Sequence, residues 1–306
     1  MMDTFWYWAA LALAKILQAL PIRIVAALGR CGGGAAYWID YRHRHVASEN
    51  LRHCFPGMSD QDRRAMVREH FKRLGENYAS AVTTAAISSA QLTKHLEIFG
   101  TEKLAANPRG AIVALGHFGN FELYTRIAAE LPRLKGATSY RALKQPRLNL
   151  LVRELRARSG CLLFDRRHET KAMLRALREG GVVLGLLSDQ HAGHRGLRIP
   201  FFGFECSTTA APALLAQRYR LPLFSAACFR VGLARWRIEV SEEIPTRTDF
   251  ARRSTEEIMR DVNAAFEAAA RRDLANWLWV HDRWRFVKEK RALASASIAS
   301  AVPRRV

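Results

Sequence analysis

At 306 residues, 49% hydrophobic and 25% charged, the chain has ample material for a core and reads as globular rather than disordered. Forty-eight Lys and Arg against 28 Asp and Glu leave a formal charge of +20, which calls for an anionic partner: nucleic acid, a phospholipid surface, or an acidic protein or substrate. Five scattered cysteines (Cys31, Cys54, Cys161, Cys206, Cys228), odd in number and mostly in apolar company, argue against a disulfide framework and for reduced thiols in a cytoplasmic compartment.

Residues 5–28 are the most apolar stretch, interrupted by Lys15, Gln18, Pro21 and Arg23. A charge at the centre of a spanning helix costs roughly 2.5–3.5 kcal/mol on insertion scales. The three polar side chains fall within one broad arc of a helix. The segment therefore reads as an interfacial anchor with Trp6, Tyr7 and Trp8 at headgroup depth, or else as an amphipathic core helix. Asp3 and the lack of a basic leader argue against a secretory signal, and Arg30, Arg42 and Arg44 favour the cytoplasmic side for the remainder of the chain. Gly32-Gly33-Gly34 has neither a strand before it nor Lys-Ser/Thr after it, so it reads as a packing or flexible turn rather than a phosphate loop. Ser59 with Asp60 and Asp62 caps a helix that Met66, Val67, Phe71, Leu74 and Tyr78 continue. Residues 1–90 thus form a helical, basic leader to the rest.

Ala111 to Leu115 is a short apolar run that reads as a buried strand, broken by Gly116 and followed by His117. From Phe121, apolar residues recur at helical spacing. A strand, a turn bearing a titratable ring and a helix start are where open α/β sheets build ligand sites. Across that turn Glu122 can return against His117 as the carboxylate that orients a general base; the plainer reading is an acid at the positive end of a helix. Strand-like and helical runs then alternate. Strands are expected at 137–140, 161–164, 181–187, 222–229 and 236–240, and helices at 146–159, 169–179 and 209–220. Ser254 and Glu257 form a capping box that opens a helix to about Arg271. The alternation implies an α/β fold with a mostly parallel central sheet flanked by helices over 91–290. Residues 291–306 read as a basic, disordered tail.

If those strands run parallel, their carboxyl ends carry His117, then Arg141, then Asp165-Arg166-Arg167, then Ser188-Asp189-Gln190. A base and several guanidiniums at one sheet edge make an active-site hypothesis, with the arginines suited to phosphate or carboxylate. One of Arg166 and Arg167 is expected to be a solvated loop charge. Asp189, His191 and His194 make a poor zinc signature, and neither G-x-S-x-G nor G-x-G-x-x-G occurs. No metal or cofactor is demanded. Without an obvious nucleophile, direct attack by a substrate hydroxyl that His117 deprotonates is the economical mechanism.

The block G-H-F-G-N-F-E resembles the H-x-x-x-x-D/E signature of glycerolipid acyltransferases, in the form seen in bacterial lipid A biosynthesis acyltransferases of the lauroyl/myristoyl type. N-L-R-H-C-F-P from Asn50, G-C-L-L-F-D-R-R from Gly160, D-Q-H-A-G-H-R-G-L-R-I-P-F-F-G from Asp189, T-T-A-A-P-A-L-L-A from Thr208 and W-L-W-V-H-D-R-W from Trp277 extend the resemblance over residues 5–287. It implies an α/β fold with an N-terminal membrane anchor. The implied reaction moves an acyl chain from acyl carrier protein to a hydroxyl of a lipid A precursor, at the cytoplasmic face of the bacterial inner membrane. It assigns His117 as general base and Glu122 as its partner, matches Arg166 and Asp189 to later blocks, and allows Asn120 a role in positioning substrate. The +20 charge suits an anionic membrane and a very acidic carrier protein rather than nucleic acid. Another glycolipid or aminolipid acceptor, or a basic membrane- or nucleic-acid-binding protein without chemistry, are the rival readings.

Overall fold

The computed structural model describes residues 2–248 and 251–285. Its first third is helical: α1 (Met2–Ala19), α2 (Ile22–Ile39), α3 (Tyr41–Cys54) and α4 (Asp60–Thr84). Ser59 caps α4 by accepting from the Asp62 amide at 3.1 Å, with Asp60 and Asp62 in the acidic first turn. The triple glycine lies inside α2, where Gly33 serves packing. A Cβ on Gly33 would sit 2.1 Å from the Phe71 carbonyl oxygen, and one on Gly75 would sit 2.0 Å from that of Gly29. Backbone therefore meets backbone between α2 and α4. Among the described residues no helix is long and apolar enough to cross a membrane.

The chain continues through α5 (Ser89–Leu92), β1 (Leu96–Phe99), α6 (Thr101–Ala105) and β2 (Gly110–Leu115), then a 3-10 helix over Phe121–Glu130. Next come β3 (Lys135–Tyr140), α7 (Pro146–Ala157), β4 (Leu162–Asp165), α8 (Thr170–Glu179) and β5 (Val182–Leu187). An antiparallel hairpin of β6 (Leu197–Phe201) and β7 (Phe204–Thr208) leads to α9 (Ala211–Tyr219), β8 (Leu223–Gly232), β9 (Arg235–Val240), α10 (Thr255–Arg272) and a last 3-10 turn, Leu274–Asn276. Seven strands form one sheet in the order β1-β9-β8-β2-β5-β3-β4, parallel at every pairing except β8 with β9. The expected mixed α/β architecture with a mostly parallel sheet is present.

β2 runs through the middle and is buried along its whole length. Its alternate residues feed two cores, as the two-residue repeat of a strand requires. Ile112 and Ala114 join Leu184, Phe266, Trp277 and Trp284 on one face, while Ala111 and Val113 join Val183, Leu123, Ile127 and Leu131 on the other. Tyr37, Val67 and Phe71 of α2 and α4 belong to the first core, so the helical leader packs into the same interior as the sheet.

Besides β1 and α6, which the sequence reading did not mark, two elements differ from it. The segment after Phe121 winds as a 3-10 helix, whose three-residue repeat stacks Phe121, Tyr124 and Ile127 along one line. The β6–β7 hairpin was not expected; Phe202 (φ 52°) and Gly203 (φ 77°) form its two-residue turn, where both central residues must take positive φ. The tail at 291–306 lies outside the described residues.

Candidate active site

β2 and β5 are neighbours in register, Leu115 opposite Leu187. Two residues beyond each strand end stand His117 and Asp189, and parallel pairing brings them side by side. His117 Nδ1 lies 2.7 Å from Asp189 Oδ1, and the His117 amide donates to Asp189 Oδ2 at 2.7 Å. Trp277 Nε1 donates to the same Oδ2 at 2.8 Å. Burial pushes the Asp189 carboxyl up, but the positive charge on His117 and these three donors outweigh it and hold it at about 2. The carboxylate is thus ionised, and Nδ1 must carry the proton it shares. That leaves Nε2 as the free lone pair of the neutral ring.

Local chain geometry sets the ring. The Phe118 amide closes a tight turn onto the Gly116 carbonyl at 2.9 Å, and a Cβ on Gly116 would strike the Phe118 ring at 2.3 Å. Gly119, at φ 49°, passes so near β8 that a Cβ would sit 2.6 Å from the Cys228 carbonyl oxygen. The fully buried Phe118 side chain and the Gly119 amide bond to Asn276 O (3.0 Å) then anchor the turn on both sides of His117. Phe121 meets the imidazole edge-on at 4.9 Å between centroids.

The partner expected for His117 was Glu122, and here the structure corrects the reading. Glu122 is clasped by Arg156 of α7, with Nε to Oε2 at 2.8 Å and Nη2 to Oε1 at 2.5 Å. The 3-10 helix carries Glu122 toward α7, while the parallel neighbour of β2 supplies the acid to the ring. Glu122 still lines the same cavity as His117.

That cavity measures about 800 Å³. Its polar lining residues include His117, Glu122, Arg141, Arg166, Gln190 and His281. Its apolar lining residues include Val113, Ala137 and Val183 from strand interiors, Ile127 from the 3-10 helix and Leu131 just after it. The strand-end residues expected at one sheet edge are therefore assembled around one space. Gln190 Nε2 lies 3.4 Å from His117 Nε2. Arg167 is exposed and outside the lining, so of the two adjacent arginines only Arg166 faces the cavity. Asn120 is buried at 1% exposure and does not line the cavity, which removes it from direct contact with a ligand there. Asp189 acts through the ring rather than as a lining residue.

Three further residues went unassigned from sequence, although the block that holds them stood out. Trp277 braces Asp189. Arg283, fully buried, donates to the Gln190 and Ser207 carbonyls and to Thr208 Oγ1, fixing the backbone beside the His117–Asp189 pair. His281 Nε2 accepts from the His191 amide at 2.9 Å, and Asn50 Nδ2 holds the His281 carbonyl at 2.8 Å. Burial lowers the His281 pKa to about 4, so the ring is neutral; with Nε2 accepting, Nδ1 carries the hydrogen. Their signal was the density of aromatic and cationic residues in W-L-W-V-H-D-R-W, a pattern too rich in large side chains for a surface loop.

Residues 1–286 match the family described as "Bacterial lipid A biosynthesis acyltransferase". The chain is 28% identical over 220 residues to "Lipid A biosynthesis lauroyltransferase" of Escherichia coli (strain K12), covering 70% of each chain. It is 24% identical to "Lipid A biosynthesis acyltransferase" of Haemophilus influenzae (92% of this chain, 91% of the relative). It is also 24% identical to "Lipid A biosynthesis palmitoleoyltransferase" of Escherichia coli (strain K12), over 92% of each. A match that runs from the first helix to the last tryptophan of the site leaves one assignment: the chain belongs to the bacterial lipid A biosynthesis acyltransferase family.

Proposed function

We propose that the protein transfers a fatty acyl chain from acyl carrier protein to a hydroxyl of a lipid A precursor, with His117 as general base. The observation that carries this reading is the His117–Asp189 pair, whose ring lines a cavity that both polar and apolar side chains line. The acyl chain lies along Val113, Ile127, Leu131 and Val183, and its thioester sits beside His117. Nε2 takes the proton of the acceptor hydroxyl as its oxygen attacks the thioester carbon. The carbonyl electrons move to oxygen, the C–S bond then breaks, and the imidazolium returns the proton to the departing thiolate. Asp189 steadies the imidazolium and keeps the tautomer. Gln190 Nε2 and His281 Nδ1–H supply donors for the oxyanion, an interaction worth roughly 3 kcal/mol per donor in acyl transfer. Arg141 and Arg166 suit the phosphates of the acceptor. No covalent acyl-enzyme is required.

The N-terminal helices carry a broad exposed apolar face, with Phe5, Trp6 and Trp8 on α1 and Trp38 and Ile39 on α2, which suits lodging in the interfacial layer of an anionic bilayer. The inner membrane, at its cytoplasmic face, is the corresponding site of action. The test is to mix purified protein with acyl carrier protein bearing a radiolabelled acyl chain and a lipid A precursor, then measure freed carrier thiol and acylated lipid by mass spectrometry. Wild-type turnover with near-complete loss in His117→Ala, whose fold is retained, is expected; activity that survives the substitution would refute the base assignment.

A further inference from the structure

Several arginines of this chain pair with an acid, among them Arg30, Arg63, Arg73, Arg156, Arg230 and Arg272. α8 is different. Lys171, Arg175 and Arg178 stand at i, i+4 and i+7 and so share one helical face, and Arg167 precedes them in the turn after β4. All four are exposed, and among the described residues none of them takes part in an ion pair. Unpaired cations in a row repel one another, so they are costly for an isolated helix unless something anionic covers them.

The stripe begins at the cavity. Arg166 and Thr170, one residue before Arg167 and Lys171, line the cavity with His117, as does Met173 on the inner side of α8. The opposite, inward face of α8 places Leu177, with Met173 and Leu174 packed against it, in the core that holds Phe266 of α10 and Ala213 of α9. The 3-10 helix that bears Glu122 contributes to the core on the other sheet face. The apolar N-terminal face has large exposed side chains on α1, α2 and α7, whereas α8 exposes none. A surface that enters a bilayer needs such side chains; one that meets an acidic protein does not.

We propose that the face of α8 formed by Lys171, Arg175 and Arg178, with Arg167, docks the strongly acidic protein that delivers the acyl thioester. This deepens the donor assignment made above and rests on it. A carrier held on this face is placed beside Arg166 and Thr170, so that a thioester on a flexible arm enters the cavity they line. Membrane and carrier then occupy different surfaces, and acceptor and donor arrive without competing.

The test uses the full-length enzyme and the triple variant Lys171→Glu/Arg175→Glu/Arg178→Glu. Glutamate is a good helix former, and the three positions are exposed, so the variant keeps its fold. Steady-state kinetics are measured with acyl carrier protein and with a small acyl-pantetheine thioester. At low ionic strength the variant's KM for the carrier rises roughly tenfold or more with kcat unchanged, and added salt narrows the gap by weakening the wild type. The KM for the small thioester stays at the wild-type value. An unchanged carrier KM overturns the docking face, as does equal loss with both donors. So does an unchanged KM accompanied by lost binding to phosphatidylglycerol vesicles, which would assign the stripe to lipid. A wild type that uses the small thioester but not the carrier would instead bring down the donor assignment, and the docking face with it.

Discussion

His117 can act as a base only if one nitrogen is proton-free and the other is held, and Asp189 meets both conditions. Asp189→Asn keeps the shape of the contact but removes the charge that stabilises the imidazolium. We expect kcat to fall by about 10²–10⁴ with little change in KM. Rates within tenfold of wild type would show that Asp189 is only scaffolding. Glu122 makes a separate prediction. Because its carboxylate is clasped by Arg156, Glu122→Gln and Arg156→Gln break one unit, and the double variant should lose no more kcat/KM than the worse single one. Additive losses would indicate that Glu122 works on the ring independently. The histidine was legible because a strand end followed by a titratable ring is a local pattern. Its acid was not, since Asp189 is 72 positions away and is brought there by the register of β2 on β5. Chain spacing reports neighbours along an element, whereas the site is built from neighbours across a sheet.

At the scale of elements, α2 and α4 show how much a glycine run can conceal. Gly33 has no room for a Cβ, while Gly32, one residue earlier, has nothing within 4 Å. Gly33→Val should destabilise the fold by about 3 kcal/mol through overpacking at a backbone contact. Gly32→Ala should stabilise it by about 0.5–1 kcal/mol, because an exposed helical alanine loses less entropy on folding. Urea denaturation of the two variants decides this, and equal effects would mean that α2 does not meet α4 as described. Sequence alone marked all three glycines alike. α4 carries a further buried marker in His70, whose Nδ1 donates to the Ala275 carbonyl at 3.1 Å and whose pKa burial lowers to about 4. The folded protein keeps this ring neutral while the unfolded chain protonates it near its ordinary 6.5. Stability is therefore intact above that value and is lost as pH falls from there toward 4. By linkage the loss reaches about 2 kcal/mol near pH 5. His70→Gln should lose correspondingly less between neutral and mildly acidic urea melts; an identical acid slope would place His70 in water.

Taken whole, the molecule has an interior that the sequence outlines and a surface that it does not. Charge and aromatic residues in the sequence suggested a membrane partner, and the α/β core was readable from alternating apolar runs. Which side chains stay exposed was not, because exposure depends on which helix faces pack. Gln18 illustrates this: polar in a stretch read as interfacial, it turns inward and donates to the Val82 carbonyl at 3.2 Å, tying α1 to α4. Trp6 (53% exposed) and Trp8 (59%) remain outward. Large apolar side chains left in water cost free energy that a bilayer returns. Full burial of such a side chain is worth roughly 1.5–3 kcal/mol, so partial insertion of two indoles should strengthen binding by about ten- to a hundredfold. Trp6→Ser/Trp8→Ser should therefore shift the partition onto phosphatidylglycerol vesicles by that factor in a sedimentation assay. Turnover of a small thioester on detergent-dispersed acceptor should stay at the wild-type rate, because neither residue lines the cavity. If the double variant binds vesicles as wild type does, the exposed aromatics of α1 face something other than lipid, and the bilayer must be met elsewhere on the molecule.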